Sequence, residues 1–259
     1  MFEVAALAIA SGGLVGFSLG LIGGGGSILA TPLLMYVVGV SQPHIAIGTG
    51  ALAVSTIAYL NLIGHARSGT VRWRSAMILA AAGSIGALAG STLGKNLNGD
   101  RLLLLFGFVM VAVGALMLRP QTGEASVDGV ARDRGPATIA LVGLSVGFAS
   151  GFFGIGGGFL IVPGLIFATG MPMLNAVATS LLAVGTFGLM TALNYALSGF
   201  VDWIVAAEFI GGGIIGGFLG IALCGRLARY KSALNIVFAV MIFGVACYVI
   251  YRSGMNLLA

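Results

Sequence analysis

Charge is what this 259-residue chain has least of: 7% of it is Asp, Glu, Lys or Arg, against 59% hydrophobic residues. So little polar surface cannot cover a soluble globule, which excludes soluble enzymes and soluble binding modules and leaves an integral membrane protein. The alternation of a membrane β-barrel strand, apolar and polar over about 10 positions, is also missing; apolar runs of about 17 to 25 residues stand in its place. MFEVAALAIASGG at the start carries an acid and no basic n-region, so no cleaved signal peptide is expected. Cysteine is scarce. Cys224 and Cys247 lie inside apolar runs, away from any CxxC or Cys/His cluster, so packing is their expected role and neither a metal nor another cofactor is expected. HExxH, GxSxG with a partner His and paired intramembrane aspartates are all absent, and His44 and His65 fall near span ends, which argues against an intramembrane enzyme. The net charge of +5 does not call for nucleic acid, because the basic residues sit at span ends, where orientation in the bilayer accounts for them.

Apolar runs cover 4–22, 27–39, 45–63, 75–94, 101–118, 137–153, 157–170, 175–197, 204–224 and 232–251. They predict an all-α, polytopic transmembrane bundle. The polar stretch RPQTGEASVDGVARDRGP at 119–136 is rich in turn formers and divides the chain into 1–118, a linker and 137–259. The halves align with each other. VGFSLGLIGGGG matches VGFASGFFGIGG at an offset of 131, and GTGALAVST faces ATSLLAVGT at 130, as HARSGTVRW faces YALSGFVDW. The chain is therefore an internal duplication.

Basic residues predict that the two repeats are inverted. In that arrangement one side collects Arg67, Arg72, Arg74, Arg119, Arg132, Arg134, Arg226, Arg229 and Lys231, and the other only Lys95, Arg101 and Arg252. Parallel repeats of four crossings would split them seven against five, a weaker match to the positive-inside rule. Inversion needs an odd number of segments per repeat. Residues 4–39 would make a helix of about 54 Å, too long for one crossing of a core about 30 Å thick, so this stretch is expected to fold back at its glycines as a broken, re-entrant hairpin.

Those glycines are the second abundance. The chain has 44, and many fall four apart: Gly12, Gly16, Gly20 and Gly24, then Gly86, Gly90 and Gly94, then Gly212, Gly216 and Gly220. Such rows are expected to bring helices close. GGGGS and GIGGG are different, because a packing stripe needs one glycine per turn. Backbone at a break in hydrocarbon must be buried in protein or line a cavity, and the start of the second arm presents free N–H groups that attract anions. Gly23, Gly24, Gly25, Gly26 and Ser27 in one half, and Gly154, Gly156, Gly157 and Gly158 in the other, are thus candidate anion-binding residues, with packing alone as the alternative.

Hydroxyls complete the candidate site. Thr49 and Thr179, and Thr56 and Thr186, hold matched positions, and Ser180 adjoins Thr179. Thr49, Thr179 and Ser180 are expected in the first turn of their helices, as caps or ligands; Thr56 and Thr186 either meet the substrate or bond their own helix. Asn61, His65, Asn194 and Tyr195, nearer the opposite ends, are weaker candidates. Glu208 is the one acid well inside a span, either a coupling group or a residue of the headgroup zone six positions past Asp202.

In these features the chain resembles the TauE/SafE family of sulfite exporter-like membrane proteins. GGGG and GGG are each followed by a proline, Pro32 or Pro163; Gly48 and Thr49, or Thr179 and Ser180, head the next span; Gly69 with Trp73, or Gly199 with Trp203, precedes the one after. The resemblance implies a secondary transporter, an exporter of sulfite or of small organosulfonates such as sulfoacetate, in the inner (plasma) membrane. It implies a small sulfur-containing anion and the lipid bilayer as partners, no nucleic acid and no enzymatic activity. A passive anion channel is the nearest alternative. Oligomeric state stays open, with a homodimer as one option.

Overall fold

A computed structural model of the chain describes residues 2–118, 134–154, 158–227 and 231–258. Most of the linker, 119–133, and the candidate residues Gly156 and Gly157 lie outside the described residues, as does Arg229. The helices are α1 (Phe2–Ile22), α2 (Ala30–Tyr36), α3 (Pro43–Arg67), α4 (Trp73–Lys95), α5 (Gly99–Leu118), α6 (Pro136–Phe153), α7 (Gly158–Thr169), α8 (Met173–Ala196), α9 (Trp203–Leu227) and α10 (Lys231–Leu258). A tighter 3-10 segment, Gly23–Leu29, joins α1 to α2. No strand occurs among the described residues. Each helix overlies one of the apolar runs, because in lipid the backbone satisfies its own hydrogen bonds only by coiling over the whole apolar length. Six of them, within α1, α3, α4, α6, α8 and α9, are long and apolar enough to cross a membrane.

The halves interlock. α1 packs along α9, and α6 along α4. Along the first pair Gly12 meets Phe209, Gly16 meets Gly213 and Gly20 meets Gly217; along the second Gly143 meets Leu79, Gly147 meets Gly83 and Gly151 meets Ala87. The numbers rise together, so both pairs are parallel. A Cβ at Gly12, Gly16, Gly20, Gly143, Gly147 or Gly151 would strike main-chain atoms of the partner helix. Between helices in lipid there is no hydrophobic drive, and close backbone contact supplies the attraction. The sequence rows assigned to packing do pack, with Gly86 and Gly90 against Leu144 and Phe148, and Gly212 and Gly216 against Ile9 and Gly13.

α3 and α8 cross in the centre with numbers that run oppositely: Gly48 lies against Tyr195, and Gly188 against Ala51 and Ser55. At the crossing Ser55 Oγ donates to the Gly185 carbonyl at 2.6 Å. α5 and α10 form another antiparallel pair, Gly107 against Ile250 and Gly114 against Phe243.

The bundle consequently has two ends. At one, Lys95 Nζ donates to the Asn194 carbonyl (2.9 Å), Asn194 Oδ1 (2.8 Å) and Ser198 Oγ (2.8 Å), tying the last turn of α4 to the last turn of α8. His44, in the first turn of α3, has Nε2 3.2 Å from the Leu97 carbonyl there. At the other end Asn175 Nδ2, near the start of α8, donates to the Thr70 carbonyl between α3 and α4 at 2.8 Å.

Candidate functional site

Both first helices stop at a left-handed glycine. Gly23 has φ +74° and Gly154 φ +68°, a region that costs an ordinary residue about 1–2 kcal/mol. The Gly154 N–H turns back to the Ser150 carbonyl and closes α6. A Cβ on Gly23 would stand 2.8 Å from Val177 Cγ1 and 3.2 Å from Ser180 Oγ of α8, and one on Gly154 would run into Ile47 of α3. Ile47 and Val177 are matched at the offset of 130. Each half therefore ends its first helix against the third segment of the other half, and only a residue without a side chain fits.

In the first half the glycine run is wound as a 3-10 helix instead of an open strand of backbone. Gly26 is tucked against Ser18 and Leu19 of α1, so the chain doubles back on the helix it has just left. The 3-10 segment also packs against α7 and α8, which makes the second arms of the two breaks neighbours. Gly24 and Gly25 belong to this segment, and Gly158 begins α7. Ser27 is fully buried and partnered.

The hydroxyls divide into two kinds. Thr49 Oγ1 accepts the Asp202 N–H at 2.9 Å, and Thr179 Oγ1 accepts the Arg72 N–H at 3.0 Å. Both threonines are fully buried. α3 and α8 begin two residues earlier than their apolar runs, so these threonines sit in the second turn, not the first as expected, and cap no N–H of their own helix. They pin the starts of α9 and α4. Thr56, Thr186 and Ser180 instead donate to their own helices, at Leu52 (3.0 Å), Leu182 (2.7 Å) and Val177 (2.7 Å). Tyr59 OH lies 3.2 Å from Thr186 Oγ1 across the α3–α8 contact. Glu208 is half-buried on α9, about 9 Å along the helix from Asp202, whose Oδ1 caps α9 by accepting the Ile204 and Val205 N–H groups.

Three hydroxyls beside the breaks escaped the sequence reading. Ser18, Thr31 and Ser150 are at least nine-tenths buried and have no hydrogen-bond partner. Ser18 and Ser150 lie within the last turn and a half of α1 and α6, just ahead of the left-handed glycines, and Thr31 lies just beyond the 3-10 segment. A Ser or Thr in a helix normally returns its proton to the carbonyl four residues back, and its failure to do so is visible only in coordinates. No group of three His, Cys, Asp or Glu side chains among the described residues is placed to hold a metal ion.

The family model described as "Sulfite exporter TauE/SafE" matches residues 8–249. A "Probable membrane transporter protein" of Xylella fastidiosa (strain 9a5c) is 58% identical over 255 residues, 97% of each chain. "Probable membrane transporter protein YunE" of Bacillus subtilis (strain 168) is 31% identical over 263 residues, 93% of this chain and 96% of the other. "Probable membrane transporter protein MJ0441" of Methanocaldococcus jannaschii is 28% identical over 176 residues, 64% of each. No solved structure gives a significant match. A match over nearly the whole length, on a bundle with six helices fit to cross a bilayer, makes this chain a multi-pass membrane transporter of the TauE/SafE family.

Proposed function

We propose that the protein is a secondary transporter that exports sulfite or a small organosulfonate such as sulfoacetate across the inner membrane by alternating access. The anion sits between the two glycine breaks, near the bilayer midplane, and meets main-chain N–H groups of Gly23 to Gly26 and of Gly154, Gly156, Gly157 and Gly158, with Ser18, Thr31 and Ser150 as further donors. The observation that carries this is the pair of left-handed glycines, each pressed on the matched helix of the opposite half. Buried hydroxyls without partners beside both breaks support it, since a sulfonate brings three acceptor oxygens and a helix start offers donors. The chemistry is binding and release, with no bond made or broken.

The same reading takes the two halves as inverted across the bilayer. The opposed directions of α3 and α8 support it, as do Arg67, Arg72 and Arg74 near one end of the bundle and Lys95 and Arg101 near the other. The end with Arg72 is then cytoplasmic.

Proteoliposomes loaded with radiolabelled sulfite or sulfoacetate test the proposal. Saturable efflux, accelerated by unlabelled anion on the far side, is the expected result. Flux that rises linearly with concentration would make the protein a channel, and none with either anion would overturn the substrate class. Gly23→Ala and Gly154→Ala are expected to cut the flux at least tenfold, since each pays the left-handed penalty and meets a matched side chain.

A further inference from the structure

Besides His44 Nδ1, four buried polar atoms outside the glycine breaks have no hydrogen-bond partner, and these four form two matched pairs. Asn61 Nδ2 and His65 Nε2 are unpartnered on α3; Thr191 Oγ1 and Tyr195 OH are unpartnered on α8. Asn61 matches Thr191 and His65 matches Tyr195, both at the offset of 130. The four residues are 4%, 5%, 0% and 0% exposed. Each pair is spaced four apart and so shares one helix face. From the crossing at Ser55 and Gly185, Asn61 and Thr191 are both six residues on, and His65 and Tyr195 both ten, about 9 and 15 Å along the helix. Since α3 and α8 run oppositely, the pairs lie on opposite sides of that crossing.

Packing does not explain them. A buried donor without a partner costs about 1–3 kcal/mol, and Leu or Phe would fill the same space without that cost. Residue identity has changed between the halves, Asn for Thr and His for Tyr, yet polarity has been kept at both positions. Room has been kept as well. A Cβ on Gly217 of α9 would run into the Asn61 amide, and one on Gly94 of α4, which already meets the Phe152 carbonyl of α6, would also come within 3.4 Å of Tyr195 OH. One member of each pair thus faces a glycine of the fourth segment in the opposite half. What three of the four offer is neutral hydrogen-bond donation, an amide NH2 and two hydroxyls, while His65, whose ring also bonds the Gly20 backbone, stands beside the Asn61 amide.

We propose that these pairs are two further subsites for the transported oxyanion, one on each side of the central crossing, passed in turn as it travels between either face and the glycine breaks. This rests on the anion-transport reading. Neutral donors suit such a role, since an oxyanion gains hydrogen bonds at each step without a fixed positive charge to hold it there.

The test reads His65 directly. Protein with 15N-labelled imidazoles, carrying His44→Gln so that one ring remains, is titrated with sodium sulfite or sulfoacetate in nanodiscs, with sodium chloride as the ionic-strength control. A saturable shift of the His65 ring nitrogens, with a half-saturation raised about tenfold by Asn61→Leu, is the expected result. No saturable shift with either anion, or one indifferent to Asn61→Leu, would overturn the proposal. In proteoliposomes Tyr195→Phe with Thr191→Val is expected to raise the half-saturating sulfite concentration about tenfold from the Lys95 face and to leave the other face unchanged; an equal rise from both faces would overturn it. Should the wild-type protein carry neither anion, the export reading fails, and the His65 titration still decides the subsite.

Discussion

The fold builds one helix crossing twice, once at each end, and fills it with different chemistry. At one end α4 crosses α8 through Lys95, Asn194 and Ser198, and Asn194 Nδ2 reaches on to Ser91 Oγ at 2.6 Å. At the other α9 crosses α3, and Gly64, the match of Asn194, lies where a Cβ would be 3.1 Å from Ile221 Cδ1; Ile221 is the match of Ser91. The first contact is a charged, directional network that fits one geometry. The second sets Gly64 on the Ile221 side chain and Gly217 on the Asn61 amide, with no charged group between them. One backbone arrangement thus occurs at both ends of the bundle, and the side chains give the two copies different contacts.

The coarsest way to break this comparison is to show that the two ends do not face opposite sides of the membrane. In a background with Cys224→Ala and Cys247→Ala, an impermeant thiol reagent added outside intact cells is expected to label Asp202→Cys fully and Arg72→Cys not at all. Labelling of both from one side would remove the inverted arrangement.

Next in size are the interlocking glycine faces, which hold both crossings in place. Gly16→Leu and Gly147→Leu each drive a side chain into main chain of the partner helix and are expected to leave no monodisperse protein on size-exclusion chromatography. Gly211→Leu, at a position with nothing within 4 Å, is expected to behave as wild type.

Lys95→Met removes the ammonium that three oxygens share, and is expected to cost about 1–3 kcal/mol, read as a lower melting temperature. Ile221→Ala at the matched crossing is expected to cost under about 1 kcal/mol, because apolar contact between helices in lipid gains little. Equal losses would erase the difference between the ends.

The smallest effects belong to the positions where the halves agree. Thr49→Val and Thr179→Val each free one part-buried N–H, on Asp202 or Arg72, and are each expected to cost about 1 kcal/mol with or without substrate present. If the substrate-induced rise in melting temperature shrinks as well, these hydroxyls touch the anion in addition to pinning α9 and α4.

The helices were legible because a membrane helix is written as a run of apolar residues, and each of the ten runs became one. The two halves read alike in the sequence at residues such as Ser68 and Gly69 against Ser198 and Gly199. Partner choice was not: four-residue glycine spacing says that a face of α1 packs closely, and nothing in it says that the partner is α9. Thr49 and Thr179 look like caps because the apolar runs start at 45 and 175, while the helices begin at Pro43 and Met173 and turn those hydroxyls toward the other half. The glycine breaks were legible as breaks, yet the winding of the first into a 3-10 turn goes with Gly26 settling against Ser18, a contact made only once the chain has doubled back.

The pairing of α1 with α9 has a consequence for manufacture. Roughly 200 residues separate Gly16 from Gly213, so at synthesis rates of about 5–20 residues per second the first helix waits about 10–40 s in the membrane before its mate leaves the ribosome. α4 and α6, with roughly 60 residues between Gly83 and Gly147, can meet within about 3–12 s. Assembly thus begins in the middle of the chain and closes from the outside in, and until it closes the glycine face of α1 has only lipid or the insertion machinery to cover it.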